Sequence, residues 1–282
     1  MTLLPPDFLN AVVALGFQDA DGATSWSATG FLLGRPQGKG NDGRTQFRLF
    51  IVTNRHVFKD ASSARVRLNP GPAGPAGEYG LQLLREDGTS IWKAHSDPEI
   101  DLCVLPIAAG KLQRDGLQLG FINTDGHVAT LPTLSQKGLS EGDSVYVLGY
   151  PMGLVGTERN YAITRSGCIA RIRDAQAGNS KEFLVDTFIF PGNSGGPVVL
   201  KPEIVSVVGT EAIREAYVIG VVKGYVPYQE VAISQQTKRP RVVFEENSGL
   251  ASAHPIEYVL EILEEGYPLP KEDTATPPSP GT

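Results

Sequence analysis

The sequence predicts an all-β fold: two sets of about six antiparallel strands, closed by one helix near the C-terminus. Three observations carry this. Short apolar or alternating runs bounded by turn residues recur along the chain, while clear helical spacing is confined to one segment. Glycine (32) and proline (21) are plentiful, as many turns and short elements require. The length of 282 residues, with 41% hydrophobic and 20% charged residues, suits one or two domains around a substantial core.

Leu9–Gln18 and Thr24–Gly34, joined through "DADG", read as a hairpin. Arg35–Arg44 reads as a loop, Phe47–Thr53 as a strong strand, and Ala64–Asn69 as a half-exposed strand because it alternates. "PGPAGPAG" (Pro70–Gly77) is too short for a triple helix and reads as a surface loop. Leu81–Glu86 and Leu102–Ile107 complete the first set, which spans about 10–115.

The pattern weakens between Gly116 and Lys137, which places a linker there. A second set, about 138–250, follows: Ser144–Tyr150, Cys168–Ile172, Phe183–Phe190, Pro197–Leu200, Ile204–Gly209, Ala216–Val226 and Pro240–Glu245. His254–Gly266 has helical spacing, with Ile256, Val259, Leu260 and Leu263 on one face and Gly266 as the stop; the helix itself is placed at about 254–265. The tail 266–282 has the composition of a disordered segment. No repeat of fixed period argues for a solenoid or propeller.

A formal net charge of −6 without any Lys/Arg run lacks the basic footprint that nucleic acid or an anionic membrane surface needs. The first basic residue is Arg35, so Phe8–Phe17 has no positive segment before it as a secretory signal would. No apolar window reaches the roughly 18 residues of a membrane span. Cys103 and Cys168 lie in apolar, strand-like runs and read as free thiols in a reducing, cytoplasmic setting, with a single bridge between them as the alternative.

One stretch raises the question of chemistry. "FPGNSGGPVV" (Phe190–Val199) sets three glycines around Ser194 between apolar flanks. It is either a tight turn or a nucleophile whose neighbours must be small. Of four histidines (56, 95, 127 and 254), His56 in "FIVTNRHVF" sits just beyond a buried strand, where a base is well fixed. Asp101, between Ile100 and Leu102, is a carboxylate in apolar surroundings and needs a partner.

"TNRHV" (Thr53–Val57), "DLCVL" (Asp101–Leu105) and "PGNSGGP" (Pro191–Pro197) resemble, in this order, the trypsin/chymotrypsin-like serine peptidases, and within them the bacterial Deg/HtrA-type branch. "ATGFLLG" (Ala28–Gly34), "LSEGDSVYVLGYPMG" (Leu139–Gly153), "RSGCIARI" (Arg165–Ile172) and "NSGLASAHPIEYVLEIL" (Asn247–Leu263) are similar to the same branch, so the resemblance covers roughly residues 10–265. "GNSGG" also fits the G-x-S-x-G elbow of α/β-hydrolases, but Pro197 and two valines follow where that elbow needs a helix.

The resemblance implies two six-stranded antiparallel barrels in a trypsin-like arrangement. It implies a serine endopeptidase acting through an acyl-enzyme, with Ser194 as nucleophile, His56 as general base and acid, and Asp101 orienting His56. It places the oxyanion hole at the backbone N–H groups of Gly192 and Ser194. It puts Phe188 at the base of the primary pocket and Lys223, Gly224 and Tyr225 on its wall, so cleavage after small or aliphatic residues is expected. Asp186 is a candidate support beneath the site. No cofactor or metal is implied, and the partner is a protein or peptide substrate. No PDZ domain is expected after residue 265, and no pro-segment is expected at the Met1 end. Activation by a freed amine is therefore not expected, while a site gated by an activating partner, through loops 35–46 and 70–78, is an alternative. So are an idle binding module and an esterase-like hydrolase using the same residues.

Overall fold

The computed structural model describes residues 4–40, 42–71, 73–114, 119–203 and 212–269. The N-terminal unit runs α1 (Pro6–Ala11), β1 (Val12–Gln18), β2 (Thr24–Lys39), β3 (Thr45–Thr53), α2 (Arg55–Phe58), β4 (Ser63–Leu68), β5 (Gly77–Gln82), β6 (Lys93–Ala94), β7 (Cys103–Pro106), α3 (Ala109–Arg114) and β8 (Ile122–Asn123). The second unit adds α4 (Leu131–Gln136), β9 (Ser144–Gly149), β10 (Ile163–Arg171), α5 (Arg173–Gln176), β11 (Phe183–Asp186), β12 (Pro197–Leu200), β13 (Tyr217–Ile233), β14 (Pro240–Pro255) and α6 (Glu257–Gly266).

The predicted class holds: the chain is mostly β, with two sheet units and a C-terminal helix. Strands β9–β14 close into a six-stranded barrel in the order β10-β11-β14-β13-β12-β9. The first unit departs from the expected count of six. It is an eight-stranded sheet ordered β5-β4-β1-β2-β3-β7-β6, with β8 parallel to β2.

Four local readings change. Leu9–Ala11 is the end of helix α1, because Pro6 in its first turn pre-sets the helical φ and has no N–H to lose. The loop expected at Arg35–Arg44 is mostly hairpin: Arg35 pairs with Arg48 and Pro36 with Phe47. Arg35 is buried there because its guanidinium donates to Leu263 O (2.9 Å) and Tyr267 O (2.8 Å) at the end of α6, where a cation is favoured. The linker region holds β8 and α4. On α6 the buried positions are Val259, Ile262 and Leu263, with Leu260 only half-buried. The strand read at Ile204–Gly209, part of the linker and the tail beyond 269 lie outside the described residues.

One apolar cluster joins the two units. Phe8, Phe31 and Phe50 of the first pack with Leu148, Tyr150, Val199 and Val218 of the second and with Ile256, Val259 and Ile262 near the C-terminus. Separate clusters fill the barrel and the outer part of the first sheet. The Tyr150 hydroxyl crosses the seam to Val12 O at 3.0 Å. Arg67 and Asn69 cross it to Asn160. Thr29, which ties down the Ser194 turn, lies along this seam.

Candidate active site

His56 and Asp101 meet because of strand register. Thr53, the last residue of β3, pairs with Cys103, the first of β7. Two residues further out, the chains are still held together: Arg55 N–H and Asn54 Nδ2 both donate to Asp101 O, at 3.2 and 2.9 Å. The single turn α2 then presents His56 to the Asp101 carboxylate. Nδ1 lies 2.5 Å from Oδ2, and the His56 backbone N–H donates to Oδ1 at 2.9 Å. Asp101 is half-buried and the His56 ring about half-exposed.

Burial pushes the Asp101 carboxyl upward, but the bonds and charge of His56, with a smaller contribution from His254, outweigh it and hold it below the usual carboxylate range. It is thus ionised at neutral pH and fixes the ring through Nδ1–H, leaving Nε2 toward solvent as an acceptor.

Ser194 lies on the turn between Phe190 and β12. Asn193, fully buried, shapes that turn: its Oδ1 accepts Phe190 N–H and its C=O accepts Gly196 N–H, both at 3.0 Å. The turn is tied to the first sheet by Thr29 of β2. The Thr29 N–H donates to Ser194 O (3.0 Å), its hydroxyl donates to Gly192 O (2.6 Å), and Thr29 Oγ1 accepts Tyr150 N–H (2.9 Å). The Thr53 hydroxyl donates to Thr29 O at 2.8 Å, which links the Ser194 turn to the strand end before His56.

Two glycines are required here. Gly192 has φ +100°, and a Cβ on it would fall 2.5 Å from Tyr150 O. Gly195 has φ +85°, and a Cβ would fall 2.1 Å from Thr29 O and 2.3 Å from Thr53 Oγ1. Gly195 is therefore what lets the Ser194 turn come so close to Thr53. Among the described residues, neither the Gly192 nor the Ser194 backbone N–H donates to a protein acceptor. The Ser194 hydroxyl and His56 Nε2 make no hydrogen bond to each other.

An open cleft of about 680 Å³ adjoins His56 and Asp101. Its walls carry the charged side chains Arg55, Glu99, Arg171, Lys181, Glu182 and Lys223 beside Pro98 and Leu184. Lys181 bridges Asp97 and Glu99, whose carboxylates hold its ammonium group above the usual range. Glu182 pairs with Lys223 at 2.5 Å and accepts from the Ser252 hydroxyl. Burial raises the Glu182 carboxyl, but Lys223 and Ser252 outweigh it and lower it.

The four residues expected in one primary pocket are not brought together. Lys223 lines the cleft beside His56. Phe188 is exposed and lines a separate depression with Thr164–Cys168 and Asp186. The Tyr225 hydroxyl points to Glu245, and Gly224 has open space beside it. Asp186 is exposed on β11 rather than set beneath Ser194. Cys103 and Cys168 are both free thiols, the first buried.

The sequence reading missed two residues. Thr29 was detectable only as a hydroxyl inside the apolar run of "ATGFLLG". His254, read as opening the helix, lies near the end of β14 and accepts the Asp101 backbone N–H at Nε2 (3.1 Å). Nothing in its local sequence signals that contact, which spans 153 residues.

The model of the trypsin-like peptidase domain family matches residues 28–209. A probable periplasmic serine endoprotease DegP-like from Chlamydia pneumoniae is 30% identical over 151 residues, 53% of this chain and 24% of the relative. Its namesake from Bartonella henselae is 31% identical over 149 residues, 52% of this chain and 23% of the relative. The chain thus spans about a quarter of the length of these curated relatives. The crystal structure of the MamO protease domain from Magnetospirillum magneticum (apo form) overlaps 91% of this chain and 97% of that one, at 12% identity and a TM-score of 0.49, too loose to bear on the chemistry.

Proposed function

Because the chain belongs to the trypsin-like peptidase domain family, we propose that it is a serine endopeptidase whose nucleophile is Ser194. His56 Nε2 takes the hydroxyl proton as Ser194 Oγ attacks the scissile carbonyl. The Gly192 and Ser194 N–H groups receive the oxyanion. His56 then returns the proton to the leaving amine, and water releases the acyl-enzyme by the same path. Asp101 holds the ring and offsets the imidazolium charge.

The observation that carries this reading is the tie between the His56–Asp101 pair and the Ser194 turn. It runs through Thr53, Thr29 and Gly195, and it leaves the two N–H groups of the turn without a protein partner among the described residues. The unmade Ser194–His56 bond favours a second reading, a site completed only when substrate or an activating partner binds, since such bonds often tighten on complex formation.

Cleavage after small or aliphatic residues rests on the family resemblance alone, since Phe188 lines a depression apart from the cleft beside His56, and peptide-library profiling tests it: cleavage after Arg or Lys overturns it. The two free thiols support a reducing, cytoplasmic setting, whereas the relatives' names say periplasmic; fractionation of cells expressing the tagged chain decides.

Fluorophosphonate labelling tests the chemistry. Labelling of wild type but not of Ser194→Ala is expected. A folded wild type that never labels, with or without added protein substrate, overturns the enzyme reading.

A further inference from the structure

We infer that His254 is a positioning residue that holds the Asp101 loop in register with His56, a role that rests on the reading of Asp101 above. The segment from Asp97 to Asp101 is held by a histidine at each end. Asp97 N–H donates to His95 Nδ1 at 3.0 Å, and Asp101 N–H donates to His254 Nε2 at 3.1 Å. A backbone N–H can only donate, so each ring nitrogen that it meets is an acceptor and unprotonated. The second nitrogen fixes the tautomer. His254 Nδ1–H donates to Lys181 O at 2.9 Å, and His95 Nε2–H donates to Glu261 at 2.8 Å. Both rings lie edge-on to Tyr258 of α6, with centroids 6.4 and 5.4 Å away. The C-terminal helix therefore backs the loop that carries the acid.

His254 is fully buried. Asp101 faces it from the loop, Lys181 and Glu182 from the segment just before β11, Lys223 from β13 and Tyr258 from α6. Burial is the largest influence and pushes the ring's pKa down, against the Lys181 carbonyl and the Glu182 and Asp101 charges. A proton on Nε2 would turn the acceptor into a donor facing another donor. Asp101 would keep the bonds from Arg55 and Asn54 to its C=O but lose the one that holds its N–H, which loosens its aim at His56.

The test compares His254→Leu, which removes the acceptor, with His254→Gln, whose amide oxygen reaches toward the Nε2 position. Expected for Leu are a kcat lowered by about tenfold, the cost of one misplaced hydrogen bond, with KM unchanged. Loss of the low-field proton resonance of the His56–Asp101 bond should accompany it. Gln should restore both. Equal kcat and an unchanged resonance in a folded Leu variant overturn the inference, as does a Gln variant no better than Leu. Ser194→Ala run alongside separates the two levels: if it keeps wild-type turnover, the triad reading itself fails.

A different observation carries a second proposal. Beyond Val226 and before Asn247, every residue of β13 and β14 is exposed, so the two strands stand off the barrel as an arm. β12 pairs with β13 only as far as Val221, so the arm's outer edge has no strand partner among the described residues. Val231 faces Val243 and Ala232 faces Val242 across the ladder, and Tyr228, Ile233 and Phe244 are about half-exposed. An isolated two-stranded ribbon of this kind is marginal in water and a template for pairing.

The geometry points to a second copy of this chain as its partner, because the arm's charges complement themselves. Glu230, Glu245 and Glu246 lie toward the barrel, and Lys238, Arg239 and Arg241 lie at the tip. Two arms laid antiparallel about a two-fold axis set each basic tip against the other's acidic base. Sedimentation equilibrium on Ser194→Ala protein should show a dimer. Lys238→Glu with Arg241→Glu should be monomeric, as should Glu230→Lys with Glu246→Lys, and mixing the two variants should restore a dimer. A wild type that stays monomeric at high micromolar concentration, or a dimer unmoved by either charge reversal, overturns it.

Discussion

Asp101 grips His56 twice, Oδ2 at 2.5 Å from Nδ1 and Oδ1 at 2.9 Å from the backbone N–H of the same residue. A single side chain thus sets both the tautomer of the ring and the position of the turn that bears it. Asp101→Asn keeps the shape but presents an amide where the anion stood. The expected loss in kcat is about 10⁴-fold, measured on a peptide substrate with the fold checked by circular dichroism. A loss below tenfold would remove Asp101 from the mechanism.

The same carboxylate links the site to acid stability. Its folded pKa lies below the ordinary value of 3.8, so its contribution to stability is present above that value. It is lost as pH falls through the folded pKa. In the urea midpoint between pH 5 and pH 2.5, Asp101→Asn should therefore lose less than wild type.

His254 gives a second, separable pH window. Its folded pKa is depressed from 6.5, so the unfolded chain binds a proton there that the folded chain refuses. Stability from this group is complete above 6.5 and falls as pH drops from that value toward the folded pKa. Urea titrations between pH 7.5 and 5 should show this slope in wild type and a shallower one in His254→Gln; equal slopes would contradict the assignment.

Gly192→Ala asks for a Cβ 2.5 Å from Tyr150 O at a φ of +100°. The turn must rotate, and an N–H meant for the oxyanion turns with it. A fall in kcat of about 10²–10³-fold is expected, with KM little changed. A fully active alanine variant would mean that the Gly192 N–H does no catalytic work.

Thr29→Val keeps the shape of a fully buried residue and removes its hydroxyl. Gly192 O and Tyr150 N–H then lose their partner inside the seam. The expected cost is about 1–3 kcal/mol in chemical denaturation, together with slower fluorophosphonate labelling of Ser194. Unchanged labelling would show that the Ser194 turn does not depend on this tie.

Much of the site was legible because its parts carry local signals. Ser194 stands out by its glycines, His56 by the strand end and Asp101 by its apolar neighbours. The glycines had two readings, a turn or room for an oxyanion, and Gly195 shows how they combine: it is small because Thr29 and Thr53 of the first sheet press against it. Less legible were features whose cause is remote. Arg35 looks like loop chemistry in sequence, yet it is buried by carbonyls at the end of α6. Of the arm beyond Val226, only Pro240–Glu245 read as a strand, because periodicity gives no sign of whether a ribbon stays on the barrel or leaves it. The pocket residues were placed by resemblance, and they part company: Phe188, beyond the end of β11, lines one concavity and Lys223 of β13 another.

By itself, the sequence determined the β class, the main strands in their order and the identity of the three candidate groups, since strand period, turn residues and side-chain chemistry are properties of a few neighbouring positions. Only the tertiary structure decided what holds those groups: His254 under Asp101 across 153 residues, and Thr29 against Gly192 across 163. Such contacts depend on the register of strands and the packing of two sheets against each other. A hydrogen bond between a side chain and a distant backbone leaves no pattern along the chain that makes it.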